Sequence, residues 1–123
     1  DVDHFKRIND EFGHHGGDMT LRAVAQALRG ALRDQDIVAR WGGEEFIALL
    51  PDTDGAGAVH VAETLRQAVA GLNVAHNTAS IRVTASFGLA VHDGKASLEA
   101  TTSRADAALY RAKRDGRNRV AVG

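Results

Sequence analysis

Apolar positions recur along the chain with two different periods, and the switches between them mark out the elements. Phe5, Ile8 and Phe12, spaced i, i+3, i+7, predict a short helix with one buried face. Gly13, His14, His15, Gly16, Gly17 and Asp18 then form a breaker-rich stretch that reads as a loop, with Asp18 at or just inside the next helix start. Leu21, Val24, Ala25, Leu28 and Leu32 carry a helical stripe until Arg33-Asp34-Gln35-Asp36 interrupts it. Two short apolar runs follow, one on each side of Gly42-Gly43, and Pro51 ends the second. Thr53, Asp54 and Gly55 supply helix-cap chemistry before Ala58, Val61, Ala62, Leu65, Ala68, Val69 and Leu72 describe a long amphipathic helix. Residues 80–91 alternate (Ile81, Val83, Ala85, Phe87, Leu89, Val91) and read as one strand, with Gly88 a bulge or a point of close approach. A turn at His92-Asp93-Gly94-Lys95 leads to a helix through Ala105, Ala108, Leu109 and Ala112, with Gly116 at its C′ position, and Arg119 to Val122 closes as a strand. The order is ααββαβαβ. Hairpins beside helices favour an α+β sandwich over a doubly wound sheet.

The stretch with most chemistry is residues 37–51, IVARWGGEEFIALLP. It predicts a β-hairpin whose Gly-Gly pair forms a tight turn with positive φ. Glu44 and Glu45 sit side by side where one arm leaves the turn, so alternation should send their side chains to different sides. Taken alone, acidic residues at a turn are ordinary solvated hairpin chemistry. A strand rim with adjacent carboxylates also suits Mg²⁺, a hard cation that takes one or two carboxylates plus substrate phosphates.

Composition narrows the classes without choosing among them. At 123 residues, 44% apolar and 25% charged, the chain fits one globular domain. A net charge of −1 gives no electrostatic case for nucleic acid or an anionic membrane as the main partner. No apolar run approaches a membrane span, and the absence of cysteine removes disulfide and thiol chemistry, which is compatible with a cytoplasmic domain. The chain opens at Asp1 as if inside an element, the pattern of a fragment.

Four blocks together go beyond composition. They are Asp1-Val2-Asp3-His4-Phe5-Lys6-Arg7-Ile8-Asn9-Asp10; Gly13-His14 with Gly17-Asp18; Arg40-Trp41-Gly42-Gly43-Glu44-Glu45-Phe46; and Ala107-Ala108-Leu109-Tyr110-Arg111-Ala112-Lys113 with Gly116-Arg117-Asn118. In order and spacing they resemble the signature blocks of the GGDEF family, the diguanylate cyclases that condense two GTP into cyclic di-GMP and pyrophosphate. The resemblance implies an antiparallel, palm-like α+β domain shared with nucleotidyl cyclases. It also implies a further helix, a Leu-Thr-Gly-Leu-type segment and most of a first central strand ahead of Asp1, so that residues 1–123 would be a catalytic domain without that N-terminal part and with an unpaired edge beside the hairpin. In the full protein it implies an upstream sensory or dimerisation domain, which a membrane segment could anchor.

Roles follow from the resemblance residue by residue. Asp1, the Val2 carbonyl and Glu45 would hold Mg²⁺ (or Mn²⁺). Glu44, at the variable acidic position, would bind a second metal or help deprotonate the attacking 3′-hydroxyl. Asn9 and Asp18 would read guanine; a carboxylate accepts from N1–H and the exocyclic amine, a pair adenine lacks. Asp18 alone would pass for a helix cap. Lys6, Lys113 and Arg117 would contact the triphosphate, although most such cations are simply solvated. Phe5 and His14 belong to the same substrate-binding set, and Gly42 and Gly43 would let backbone approach phosphate. Catalysis would need a homodimer of domains, each contributing one GTP.

Arg33 and Asp36, with five residues between Asp36 and Gly42, match the family's Arg-x-x-Asp site at which cyclic di-GMP inhibits its own synthesis. A guanidinium can take guanine O6 and N7 or a phosphate through two parallel hydrogen bonds. The second Arg that the family often places on the following helix is Thr64 here, with Arg66 two positions on and on another face. Trp41 replaces the commoner Tyr and keeps an aromatic. Two other readings share parts of this pattern: a non-catalytic module binding GTP or cyclic di-GMP, and a purine cyclase acting on one NTP. The first usually loses the acidic motif that Glu44 and Glu45 preserve, and the second lacks the Gly-Gly-Glu-Glu-Phe hairpin.

Overall fold

A computed structural model describes all of residues 1–123. Helix α1 (Phe5–Ala31) is followed by strands β1 (Ile37–Arg40) and β2 (Phe46–Leu49), helix α2 (Gly55–Ala70), strands β3 (Val74–His76), β4 (Ala79–Ile81) and β5 (Phe87–Leu89), helix α3 (Leu98–Arg114) and strand β6 (Val120–Val122). β1 and β2 pair antiparallel in the register Ile37↔Leu49 to Arg40↔Phe46. β3 and β4 form a second hairpin, and β5 pairs with β6 in parallel.

Residues 1–3 join these pieces. Val2 bridges Ala85 antiparallel, the Asp3 N–H donates to the Thr84 carbonyl at 2.9 Å and the Ser86 N–H to the Asp1 carbonyl at 3.0 Å. On the other side the Val2 N–H donates to the Glu44 carbonyl at 3.1 Å. Beyond these bonds β2 has no ladder partner except β1, and β5 none except β6. An apolar groove of about 670 Å³ lies there, lined by β2, α2, β5 and the first half of α3.

Alternation along the 83–88 segment separates two packing faces. Val83 and Ala85 join Val2, Ile8, Leu21, Val24, Leu28, Leu65, Val69, Val74 and Ile81 in one core, which α1 and α2 supply from one side. Gly88 faces α3, where a Cβ would overlap the Ala105 carbonyl and the Leu109 N–H and lie 2.8 Å from the Leu109 Cα. Ala108 and Ala112 are fully buried on α3, so this interface is made of small residues at close range. α3 ends as expected: Gly116 has φ 126°, the Arg117 N–H donates to the Ala112 carbonyl at 2.9 Å and the Gly116 N–H to that of Lys113 at 3.5 Å, the pair of bonds of a Schellman motif. Asp54 and Ser97 cap α2 and α3 by accepting from the Gly57 and Ala100 N–H groups.

Three expectations change. The breaker-rich stretch after Phe12 is helical except at Gly13 (φ 77°, ψ 170°), where α1 kinks and restarts. Gly16 and Gly17 serve close packing instead of breaking the helix, since a Cβ on Gly16 would sit 2.6 Å from the Phe12 Cβ and one on Gly17 would overlap the Asn9 side chain. The single strand expected over residues 80–91 is divided, because its partners change from β3 to residues 1–3 to β6. The Gly-Gly pair lies in a loop of residues 41–45, closed by Trp41 and Gly42 N–H groups donating to the Glu45 carbonyl at 2.8 and 3.3 Å; neither glycine has positive φ.

The α3 interface gives a direct test. Gly88→Ala must displace helix or strand backbone, an overpacking cost of about 1–3 kcal/mol. That should lower the Tm by roughly 4 °C or more. An unchanged melting curve would show that the interface yields freely.

Candidate active site

The candidate site forms where the 1–3 segment, the 41–45 loop and the C-terminal end of α3 meet. The Lys113 Nζ lies 3.1 Å from Asp1 Oδ2, and the Asp1 side chain is only 8% exposed. Glu44 and Glu45 are half-buried on the loop whose backbone is bonded to Val2. The Val2–Glu44 bond and the Asp1–Lys113 contact bring these groups to one region of the surface.

The donors fit a hard divalent cation in kind, as carboxylate oxygens on a strand rim. They do not form a closed ligand cage, since no three His, Cys, Asp or Glu side chains are gathered in a metal-holding group. The Lys113 ammonium already balances Asp1. A metal would be bound by carboxylates and substrate phosphates jointly, as Mg²⁺ commonly is.

Gly17 brings the two guanine candidates together: the Asn9 amide occupies the space its missing side chain leaves, one residue before Asp18. Asp18 is exposed and lines a cleft of about 380 Å³ between α1 and the hairpin, with Leu21, Arg22, Val38, Arg40 and Phe46. The Arg40 guanidinium spans the 41–45 loop, donating from Nη2 to the Gly43 carbonyl at 2.7 Å and from Nε to that of Gly42 at 3.2 Å. A Cβ on Gly43 would meet nothing within 4 Å, and one on Gly42 only the Glu45 side chain. The glycines leave an open loop face, so intrachain packing does not require them. Phe5 is half-buried beside Gly17, Lys6 and His14 are exposed on α1, and Arg117 is half-buried just past α3 with φ 64°.

Arg33 and Asp36 are bound to each other. Arg33 Nη2 lies 2.9 Å from Asp36 Oδ1, and Asp36 Oδ2 accepts from the Arg33 Nε at 3.2 Å and its backbone N–H at 2.9 Å. Arg33 Nη2 also donates to the Pro51 carbonyl at 2.8 Å and to Thr53 Oγ1 at 2.9 Å. Arg29 completes the cluster by donating to the Asp36 carbonyl at 2.8 Å. Thr64 instead donates to the His60 carbonyl of its own helix, and Arg66 pairs with Glu63, so neither joins Arg33.

Sequence reasoning missed Asp3. Its carboxylate is 4% exposed and accepts from Thr84 Oγ1 at 2.7 Å, Ser86 Oγ at 2.6 Å and the Asn118 N–H at 3.0 Å. The available signal was the polar pair Thr84 and Ser86, interleaved with the apolar Val83, Ala85 and Phe87.

This architecture is an α+β domain with an acidic hairpin loop at its rim. The profile of the GGDEF family, described as "Diguanylate cyclase, GGDEF domain", matches residues 1–119. The chain belongs to that family. It is 47% identical over 122 residues to diguanylate cyclase DgcP of Pseudomonas aeruginosa, covering 99% of this chain and 18% of that protein. Among solved structures, diguanylate cyclase SiaD of P. aeruginosa in complex with its activator SiaC superposes with a TM-score of 0.96 at 44% identity, over 100% of this chain and 47% of that one. The GGDEF domain of DgcB from Caulobacter crescentus, solved in complex with c-di-GMP, gives 0.93 at 35% identity over 99% and 73% of the two chains. No helix is long and apolar enough to cross a membrane.

The Arg33–Asp36 pair carries a pH signature. The Arg33 side chain, by hydrogen bonding, holds the Asp36 carboxyl below the usual carboxylate range; burial opposes this, and the Arg33 backbone N–H and the Arg33 and Arg29 charges add to it. The folded state therefore binds fewer protons than the unfolded state as acid is added. The resulting stability is fully present above the unfolded value of about 3.9 and is lost as pH falls through the lower folded value. Asp36→Asn should melt below wild type at neutral pH, and the gap should close in acid. A gap of equal size at pH 7 and pH 3 would remove the ion pair from the account.

Proposed function

We propose that this domain condenses two GTP molecules into cyclic di-GMP with release of pyrophosphate. The observation that carries the reading is the convergence of Asp1, the Glu44-Glu45 loop and Lys113 at one end of the sheet. A divalent cation, Mg²⁺ or Mn²⁺, held by Asp1, the Val2 carbonyl and Glu45 with Glu44 beside it, would activate the attacking 3′-oxygen and neutralise phosphate charge. The protein's own task is positioning and charge balance. Asn9 and Asp18 orient guanine at the α1 cleft, and the open Gly42-Gly43 face admits phosphate beside backbone. Lys113 and Arg117 hold the triphosphate from the end of α3, and Lys113 exchanges its contact with Asp1 for substrate oxygens. Lys6, Phe5 and His14 complete the substrate contacts along α1.

One domain binds one GTP, so the second 3′-hydroxyl comes from a facing copy, and a two-fold pair lets each site serve both bond-forming steps. The Arg33–Asp36 pair is the proposed product-binding site. Cyclic di-GMP would draw the Arg33 fork away from Pro51 and Thr53, and Thr64 leaves that site with one arginine fewer than the family often has.

The reading is tested in the full-length protein with Mg²⁺ and either GTP or ATP, identifying the product by mass. Cyclic di-GMP from GTP and nothing from ATP is expected. Glu45→Gln and Asp1→Asn should keep the fold and lower turnover by about 10²-fold or more. A fully active Glu45→Gln enzyme removes the metal-ligand role.

For inhibition, product is titrated against wild type and Arg33→Ala. Wild type should be inhibited and the variant resistant. Equal responses would leave Arg33 as a purely structural clamp.

A further inference from the structure

Arg117 is read above as a phosphate ligand, yet it lies outside regular structure in a conformation unusual for its type. Gly116, Arg117 and Asn118 follow one another with φ 126°, 64° and 46°. Glycine enters the left-handed region freely and asparagine tolerates it, but arginine must be held there. The Schellman bond from the Arg117 N–H to the Ala112 carbonyl at 2.9 Å holds one side. The other side depends on Asn118, which bonds to two charged groups at once. Its N–H donates to buried Asp3 Oδ2 at 3.0 Å, and its Oδ1 accepts from Arg66 Nη1 at 3.0 Å. Arg66, with a side chain only 20% exposed, is itself fixed by Glu63, to which Nε donates at 2.9 Å. Charge-assisted bonds of this kind are short and directional.

We propose that Arg66 on α2, acting through Asn118 and together with Asp3, is a positioning residue that presets the Arg117 loop for the triphosphate. The proposal rests on the reading of Arg117 as a phosphate ligand and extends it to residues that contact no substrate. Asp3 ties the loop to the segment that carries Asp1, and its bonds to Thr84 and Ser86 fix that carboxylate in place. Arg66 ties the same loop to α2. The distance between the Asp1 end and the Arg117 end of the site is thereby set before substrate arrives, which is the kind of preorganisation that lowers the cost of binding.

The test measures binding of a GTP analogue that cannot release pyrophosphate, the α,β-methylene triphosphate, together with steady-state kinetics, in the full-length protein. Arg66→Ala should weaken analogue binding by about fivefold or more and raise KM with kcat nearly unchanged, since the lost hydrogen bond is charge-assisted and acts on binding. Asn118→Gly, which keeps the backbone conformation and the N–H to Asp3 but loses Oδ1, should reproduce the effect without the risk of unfolding. In an Arg117→Ala background neither change should weaken binding further, because the pathway runs through Arg117. Analogue binding unchanged in both single variants overturns the proposal. So does an equal further loss in the Arg117→Ala background, which would assign Arg66 a merely structural role. Wild-type protein that binds no analogue defeats the GTP reading and this inference with it, whereas normal wild-type binding with unaffected variants defeats this inference alone.

Discussion

Three residues of extended chain, Asp1 to Asp3, hold the parts of the site in register. Backbone bonds from this segment run to Glu44 on one side and to Thr84 and Ser86 on the other. Val2 between them is 2% exposed and belongs to the main core. The hairpin makes no other ladder contact with the strand segment at 83–89, so the position of the Glu44-Glu45 loop relative to α3 depends on this segment. The side chains divide the labour. Val2 faces the core, while Asp1 and Asp3, two apart, both face the end of α3 and meet Lys113 and Asn118.

That arrangement concentrates negative charge, and the structure offsets it in two ways. Asp3 accepts from three hydrogen-bond donors, which satisfies the buried carboxyl oxygens locally. Asp1 instead meets the Lys113 ammonium, a strongly hydrated charge on a flexible stem. The two carboxylates thus differ in their partners: Asp3 has three hydrogen-bond donors, and Asp1 an ammonium.

Much of this fold was legible because burial and periodicity agree. The Leu21 to Leu28 stripe and the Leu65 and Val69 face lie where helical spacing puts them, and the two arms of the expected hairpin pair with each other. Gly88 and Gly116 also had readable reasons, close approach and a C′ cap. The misreadings share a cause, which is that partners distant in sequence decided the outcome. Glycine at 16 and 17 looks like a break until Phe12 and Asn9 pack against it. Residues 80–91 keep one alternation while changing hydrogen-bond partners, which a one-dimensional pattern does not record. The hairpin of β3 and β4 turns at Asn77 with φ 54°, inside a stretch too short and polar to stand out. Within the site, the acidic loop gained meaning only from its resemblance to a family. The Asp3 cluster stayed hidden because its donors lie 81 to 115 residues away.

The hairpin is clamped by an arginine at each end, and this bears on how its two ends communicate. Arg40 bonds the loop carbonyls at the tip. Arg33 bonds Asp36 just before β1 and Pro51 just after β2, so one guanidinium joins both feet of the hairpin. A ligand that takes the Arg33 fork must replace the Asp36 carboxylate, the Pro51 carbonyl and the Thr53 hydroxyl together. Leaving Asp36 buried without its cation would be costly, so a ligand that also offers Asp36 a donor is favoured over a simple anion. Guanine does so through N1–H and its exocyclic amine, while its O6 and N7 accept from the arginine. A bare phosphate satisfies Arg33 alone and strands the carboxylate. A ligand at this pair would therefore have to be donor and acceptor at once, and it would replace the bonds that hold the feet of a hairpin whose tip carries Glu44 and Glu45.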